Sequence, residues 1–219
     1  MANYSNNEDN TVQEVDIAIS KAELFIEEHS KQIISVCVAI IVIVSAVWGW
    51  TTYRENQNAK AQDGIYSAQF LFEQGQYEQA LEGFEAVISD YSSTPTGNLA
   101  KAYAGLCNKE LGNYAEAISL LKDYSGNDAV VAPAILAALG DCYVNQDNAD
   151  NKEAANCFEK AAKAANNAQY TPLFLKKAGL AYEAAGDNAS AAKAYQSIKD
   201  NWAETAVAQS IDKYIERVK

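Results

Sequence analysis

The feature that most constrains this chain is a period of 37 residues. Ala80, Ala117, Ala154 and Ala191 succeed one another at that spacing, and Phe84, Leu121, Phe158 and Tyr195 stand four residues after each. A small and a bulky apolar residue at i and i+4 share one face of an α-helix, so the period marks four equivalent helices. Upstream of each Ala, a second small residue marks a second helix: Ala68, Gly105, Gly140 and Gly179, at spacings of 37, 35 and 39. Between the two helices lie Gly75-Gln76-Tyr77, Gly112-Asn113-Tyr114 and Gly186-Asp187-Asn188 in the first, second and fourth units. The third unit has residues 146–151 there instead.

Each unit therefore reads as a helical hairpin. The small residue on the first helix admits the second, the bulky residue fills the gap against the next unit, and Gly closes the turn in a left-handed conformation. No such hairpin hides its own apolar face, so the units are expected to stack into a short right-handed solenoid. Thr171-Pro172 reads as an N-cap followed by Pro at the first helical position, and Pro133 as the start of the third unit's first helix. Ala203, Ala206, Val207, Ile211, Tyr214, Ile215 and Val218 predict a last amphipathic helix that covers the exposed end. The fold class is thus all-α.

Ahead of the repeats, residues 33–50 read IISVCVAIIVIVSAVWGW, with no charge. As a helix they extend about 27 Å, close to a hydrocarbon core of about 30 Å. Lys31 and Arg54 flank the run, and Trp48, Trp50 and Tyr53 supply half of an aromatic belt. A cleaved signal is the competing reading. The 32 residues before the run carry 2 basic and 7 acidic side chains, 2 − 7 = −5, where a signal peptide begins short and basic. A retained anchor is therefore expected. Lys21 and Lys31 before it balance Arg54 and Lys60 after it, so charge does not orient it. Within the tail, Val12, Val15, Ile19, Ala22 and Ile26 follow helical spacing, which predicts an acidic amphipathic helix suited to a protein contact.

Composition removes several functions. Hydrophobic residues make up 49% of the 219, with 3 Pro and 11 Gly, which argues for a packed chain. Lys+Arg 17 against Asp+Glu 29 gives a net charge of −12, too acidic a balance to win affinity by neutralising phosphates, so no nucleic-acid partner is expected. One His and one Met leave few ligands for a metal centre, and no metal site or cofactor is expected. The span from Asp141 to Glu153 lacks the ligand spacing of a calcium loop. Cys37, Cys107, Cys142 and Cys157 form no CxxC pair and read as small buried hydrophobes, with one disulfide among the last three left open. His29 lies at the membrane edge, far in sequence from any Ser or Cys it could serve as a base, and phosphate-binding glycine motifs are absent. No enzyme is expected.

Two resemblances follow from these residues. The run from Leu71 to Ala80, LFEQGQYEQA, with the small residue before it and Phe84 after it, resembles the tetratricopeptide repeat. The departures are the period of 37, a missing Trp at the head of the first helix, and the third unit's missing Gly turn; longer connections such as residues 92–97 are expected to absorb the extra length. The whole layout, an acidic tail, one span near residue 40 and about 150 residues of repeats, resembles the ancillary SecYEG translocon subunit family. That resemblance implies a bacterial inner-membrane protein with its N-terminus in the cytoplasm and its repeats in the periplasm. The expected domains are then a cytoplasmic tail, 1–32, a transmembrane helix, 33–53, a juxtamembrane linker helix, 54–60, four repeats, 61–202, and a capping helix, 203–219.

In this repeat class the first helices build the inner surface. Alignment on the small residue places Ile65, Gln69 and Phe72 there, then Leu99, Ala102, Leu106 and Lys109, then Ala137, Asp141 and Val144, then Leu173, Lys176, Leu180 and Glu183. Phe72, Leu106 and Leu180 are the expected apolar anchors for an extended peptide or partner helix, and Lys109, Asp141 and Lys176 the charges that pair with it. Each of these positions has a second reading, in which it packs between helices or under a C-terminal helix folded into the groove. The expected function is a membrane-anchored interaction scaffold. The resemblance implies work beside the Sec channel subunits, with a periplasmic chaperone or prolyl isomerase or with unfolded secretory clients, and membrane lipid around one helix. The alternative is a structural assembly subunit of another cell-envelope complex.

Overall fold

The computed structural model describes the backbone from Ser5 to Lys219, and the side chains of Ser20 and of residues 27–219. The tail's apolar face, Val12, Val15, Ile19, Ala22 and Ile26, lies outside the described side chains. Among the described residues there are nine α-helices and no strand. They are α1 Ser5–Glu73, α2 Tyr77–Tyr91, α3 Pro95–Glu110, α4 Tyr114–Asp123, α5 Val131–Asn145, α6 Asn151–Ala165, α7 Thr171–Ala184, α8 Asn188–Asn201 and α9 Asp212–Arg217. The fold is all-α, as the period requires. The chain divides into two units after Arg54.

In the first unit, α1 carries a segment long and apolar enough to cross a membrane. Its large apolar side chains, from Ile34 to Trp50, are all exposed, Trp48 to 70%. An exposed apolar stretch of that length on a helix is suited to a hydrocarbon solvent.

The second unit is the solenoid. Four hairpins are formed by the end of α1 with α2, and by α3 with α4, α5 with α6, and α7 with α8. The small residues do what their spacing implies. A Cβ placed on Gly105 would lie 2.7 Å from the Leu121 side chain, one on Gly140 2.7 Å from the Phe158 ring, and one on Gly179 2.2 Å from the Tyr195 ring. The bulky residue thus closes first on the glycine of its own hairpin. It also meets the next unit, as expected: Phe84 stacks on Tyr103 at 5.1 Å, and Tyr195 meets Tyr214 at 5.4 Å. Two buried clusters result, one centred on Phe84 and Cys107, the other on Phe158, Tyr195 and Ile198.

Gly75, Gly112 and Gly186 hold φ of 74°, 82° and 78°, the left-handed region open to glycine. Each closes a paired cap. Behind Gly112, for example, Asn113 N–H bonds the Asn108 carbonyl at 2.8 Å while Gly112 N–H bonds that of Lys109 at 3.2 Å. The third hairpin lacks such a glycine, and Asp150 instead accepts from Glu153 N–H at 3.0 Å.

Local chemistry departs from expectation at five places. Thr171 is the first residue of α7 and not its N-cap: its hydroxyl accepts from Asn167 N–H and donates to the Ala162 carbonyl. Pro133 is the third residue of α5, behind Asp128, whose carboxylate takes Val130 and Val131 N–H; these bonds hold its pKa below the usual carboxylate value. Residues 92–97 are not a long loop, since α3 already begins at Pro95, capped by Thr94. The buried Gly97 permits this, its Cα so close to Tyr91 that a Cβ would lie 2.0 Å from that carbonyl oxygen. Asn58, in the expected linker, accepts from Thr96 N–H at 2.9 Å and so takes part in the packing of the second hairpin.

The fifth departure is the cap. A continuous helix over 203–219 does not form, and α9 covers only Asp212–Arg217 after a 3-10 turn at Ala208–Ser210. The hydroxyls of Thr205 and Ser210 bond the carbonyls of Trp202 and Val207, three residues back, and these local bonds compete with the helical ladder. The covering role survives: Ile211 and Val218 are buried in the larger core, with Tyr214 and Ile215 packed against it.

The other end is different. Phe70 occupies the position held by Cys107, Cys142 and Ala181 in the later hairpins, all three of which are buried, whereas Phe70 is 61% exposed and Tyr66, one turn earlier, 65%.

Candidate protein-binding groove

The first helices of the hairpins, the end of α1 with α3, α5 and α7, carry the residues expected to form a binding face. The structure sorts them into three groups. Ile65, Ala102 and Ala137 are buried and belong to the core. Phe72, Leu106, Lys109, Asp141, Lys176 and Glu183 are half-buried. Leu173, Leu180 and Val144 are exposed, the two leucines to 45% and 41%.

Within the middle group each side chain is engaged. Phe72 sits edge-on to Tyr77 at 5.5 Å and to Tyr103 at 5.4 Å, wedged between the first two hairpins. Leu106 packs against the larger core. Lys109 pairs with its neighbour Glu110; burial opposes its charge, but that hydrogen bond and the fields of Glu110 and Asp141 hold its pKa above the usual lysine value. Asp141 is held by Lys177, whose ammonium lies 2.8 Å from both carboxylate oxygens. Lys176 lies 4.7 Å from the centroid of the Tyr214 ring. Glu183 accepts from the Tyr195 hydroxyl and from Arg217, the latter at 2.7 Å. Burial pushes the Glu183 carboxyl up, but these two hydrogen bonds outweigh it and keep its pKa low.

The face is therefore a set of exposed leucines and a valine among charges that, Lys176 apart, are tied to an opposite charge. Sequence reasoning missed Lys177, Tyr103 and the trio Lys213, Tyr214 and Arg217. Lys177 adjoins Lys176, and its position equals that of Tyr66 and Tyr103 in the earlier units, which was a usable signal. Among the described residues no group of three metal-ligating side chains comes together. Cys107, Cys142 and Cys157 are unpaired and buried within the repeats. Burial pushes the first thiol up to about 12 and the other two up to about 11, so they are poor nucleophiles.

A surface of this kind is suited to burying apolar side chains of another polypeptide inside a polar rim. Comparison with known proteins agrees with that fold. The profile of a tetratricopeptide repeat-like domain matches residues 24–216, which takes in the apolar segment as well as every hairpin. Among solved structures, TPR-like repeats of a Podosopora anserina kinesin light chain align with TM-score 0.55 at 16% identity, over 73% of this chain and 85% of that one. The MamA protein aligns with TM-score 0.52 at 18% identity, over 72% of this chain and 89% of that one. No curated protein matches the chain.

Proposed function

The chain belongs to the tetratricopeptide repeat-like domain family, and from that premise we propose that it is a membrane-anchored interaction scaffold serving as an accessory subunit of the Sec translocon. Its repeat face takes emerging secretory clients or a periplasmic chaperone or prolyl isomerase. The N-terminus then lies in the cytoplasm and the repeats in the periplasm of a bacterial inner membrane.

One observation carries the reading: a single family match spans both a helix with an exposed apolar stretch and a repeat array that offers exposed leucines. Stacked repeats present extended binding surfaces, and a membrane tether raises the local concentration of whatever is recruited, so that weak apolar contacts suffice. The accessory role at a Sec-type channel rests on the layout of tail, span and repeats.

The test is a photo-crosslinking residue at Leu180 in the full-length protein in cells, read by mass spectrometry. Channel subunits, a folding factor or secretory clients are expected among the products. Recovery of none of them overturns the proposal. The paired change Leu173→Ala and Leu180→Ala separates scaffold from assembly subunit: the scaffold loses client capture with its complex intact, whereas a permanent building block loses the complex.

A further inference from the structure

A chain of net charge −12 gathers three cations around one ring. Lys176 Nζ lies 4.7 Å, Arg217 Cζ 4.9 Å and Lys213 Nζ 5.2 Å from the centroid of Tyr214. The carboxylates carried by the same elements are already taken. Glu183 holds Arg217, Asp212 holds Lys199 at 2.6 Å, and Glu216 holds Lys219. Among the described residues no carboxylate lies within ion-pair distance of Lys176 or Lys213. Each relies on the face of the Tyr214 ring, an attraction that offsets only part of the repulsion between like charges this close. The local field is positive enough that Tyr214, bonded by Lys176, has its phenol pKa drawn below the usual value.

The corner also has an apolar edge. Leu173, Lys176 and Leu180 stand at i, i+3 and i+7 on α7, one face of that helix, and both leucines are exposed. Next along the helix, Lys177 is occupied by Asp141 and does not compete for an incoming anion.

We infer that this C-terminal corner binds an acidic segment of a partner polypeptide, seating a carboxylate against Lys176 and Lys213 while adjacent apolar side chains cover Leu173 and Leu180. The inference rests on the scaffold reading above and specifies the chemistry of the partner. A polypeptide is favoured over an anionic lipid surface on charge grounds. An extended anionic leaflet meets the whole negative protein and is repelled, whereas a short acidic segment engages cations inside one screening length of about 8 Å. The neighbouring leucines favour it too, since they lie on the same helix face as Lys176, which has no carboxylate partner among the described residues.

The probe is a fluorescent synthetic peptide of alternating Leu and Glu, with a Leu/Gln counterpart, titrated by anisotropy against the full-length chain in zwitterionic nanodiscs at low and high salt. The Leu/Glu peptide is expected to bind about tenfold more tightly than the Leu/Gln peptide at low salt. Lys176→Gln with Lys213→Gln should erase that difference, Lys176→Arg with Lys213→Arg should keep it, and Lys193→Gln on α8 should leave it unchanged. Failure of the Leu/Glu peptide to bind overturns the inference, as does equal binding of both peptides or an equal loss in the Lys193 variant. Capture of phosphatidylglycerol vesicles that depends on the two lysines, without peptide binding, also overturns it and assigns the corner to lipid. If the Gln variants still crosslink to partners from Leu180 as the unaltered chain does, the scaffold stands and the acidic preference falls. If the peptide binds but no partner is ever crosslinked, the scaffold falls alone.

Discussion

Lys177 on α7 spans the space to α5 and holds both oxygens of Asp141 at 2.8 Å, joining the first helices of the third and fourth hairpins. The same ammonium lies 5.3 Å from the centroid of the Phe158 ring. An acid expected to await a ligand is thus a tie between repeats.

Because both partners are partly exposed, the tie is expected to contribute little, about 0.5–1 kcal/mol. A double-mutant cycle of Asp141→Asn and Lys177→Met, followed by urea unfolding, measures it. A coupling in that range identifies a structural pair; a coupling near zero leaves Asp141 as a groove residue in all but geometry.

Gly140→Ala sets two known effects against each other. Alanine gains about 1 kcal/mol of helix propensity over glycine. Its Cβ would stand 2.7 Å from Phe158, a ring only 2% exposed and closed in on all sides, and overpacking of that kind costs about 1–3 kcal/mol. A net loss of up to about 2 kcal/mol is expected in denaturant unfolding, and a gain in stability would contradict the close approach of α5 to α6.

The buried thiols predict a loss of stability in alkali. Burial raises Cys107 to about 12 and Cys142 and Cys157 to about 11, above the free-thiol value of about 8.5. Between these values the unfolded chain releases protons that the folded chain keeps, so the unfolded state binds fewer and stability falls as pH rises. The unfolding free energy should hold steady below about pH 8 and decline from about pH 9 to 11. Cys142→Ala should shallow that decline, and thiol reagents at neutral pH should reach the three sites only after unfolding.

Ile211 is 1% exposed and is the residue by which the final segment enters the core. Truncating it as Ile211→Ala is expected to cost about 2–4 kcal/mol. The far-UV signal per residue should survive at low temperature while the thermal midpoint drops; an unchanged midpoint would show that the cap is not coupled to the last hairpin.

The repeat was legible because its causes are local and periodic. Ala80 through Ala191 and the glycines at 75, 112 and 186 carry their backbone and packing demands in their own chemistry, and all three glycines adopt the positive φ their position requires. The binding face was legible only as a set of positions. Whether Phe72 is an open anchor depends on Tyr77 and Tyr103, and whether Lys176 faces a groove depends on Tyr214, nearly forty residues away in sequence. The periodic pattern contains no information about such pairings. The final segment covers the end as its apolar spacing implies, but its helix is shorter, because that spacing describes what the segment covers while Thr205 and Ser210 decide its backbone.

Phe70 and Tyr66 leave the first hairpin's outer side uncovered, yet the last hairpin is closed by Ile211, Tyr214 and Val218. Polymerisation of such arrays into fibres is a head-to-tail process that needs a receptive surface at both extremities. Blocking one is sufficient to stop such growth, so the segment that buries Ile211 and Val218 on the last hairpin leaves that extremity without the apolar face a further hairpin would need to add on.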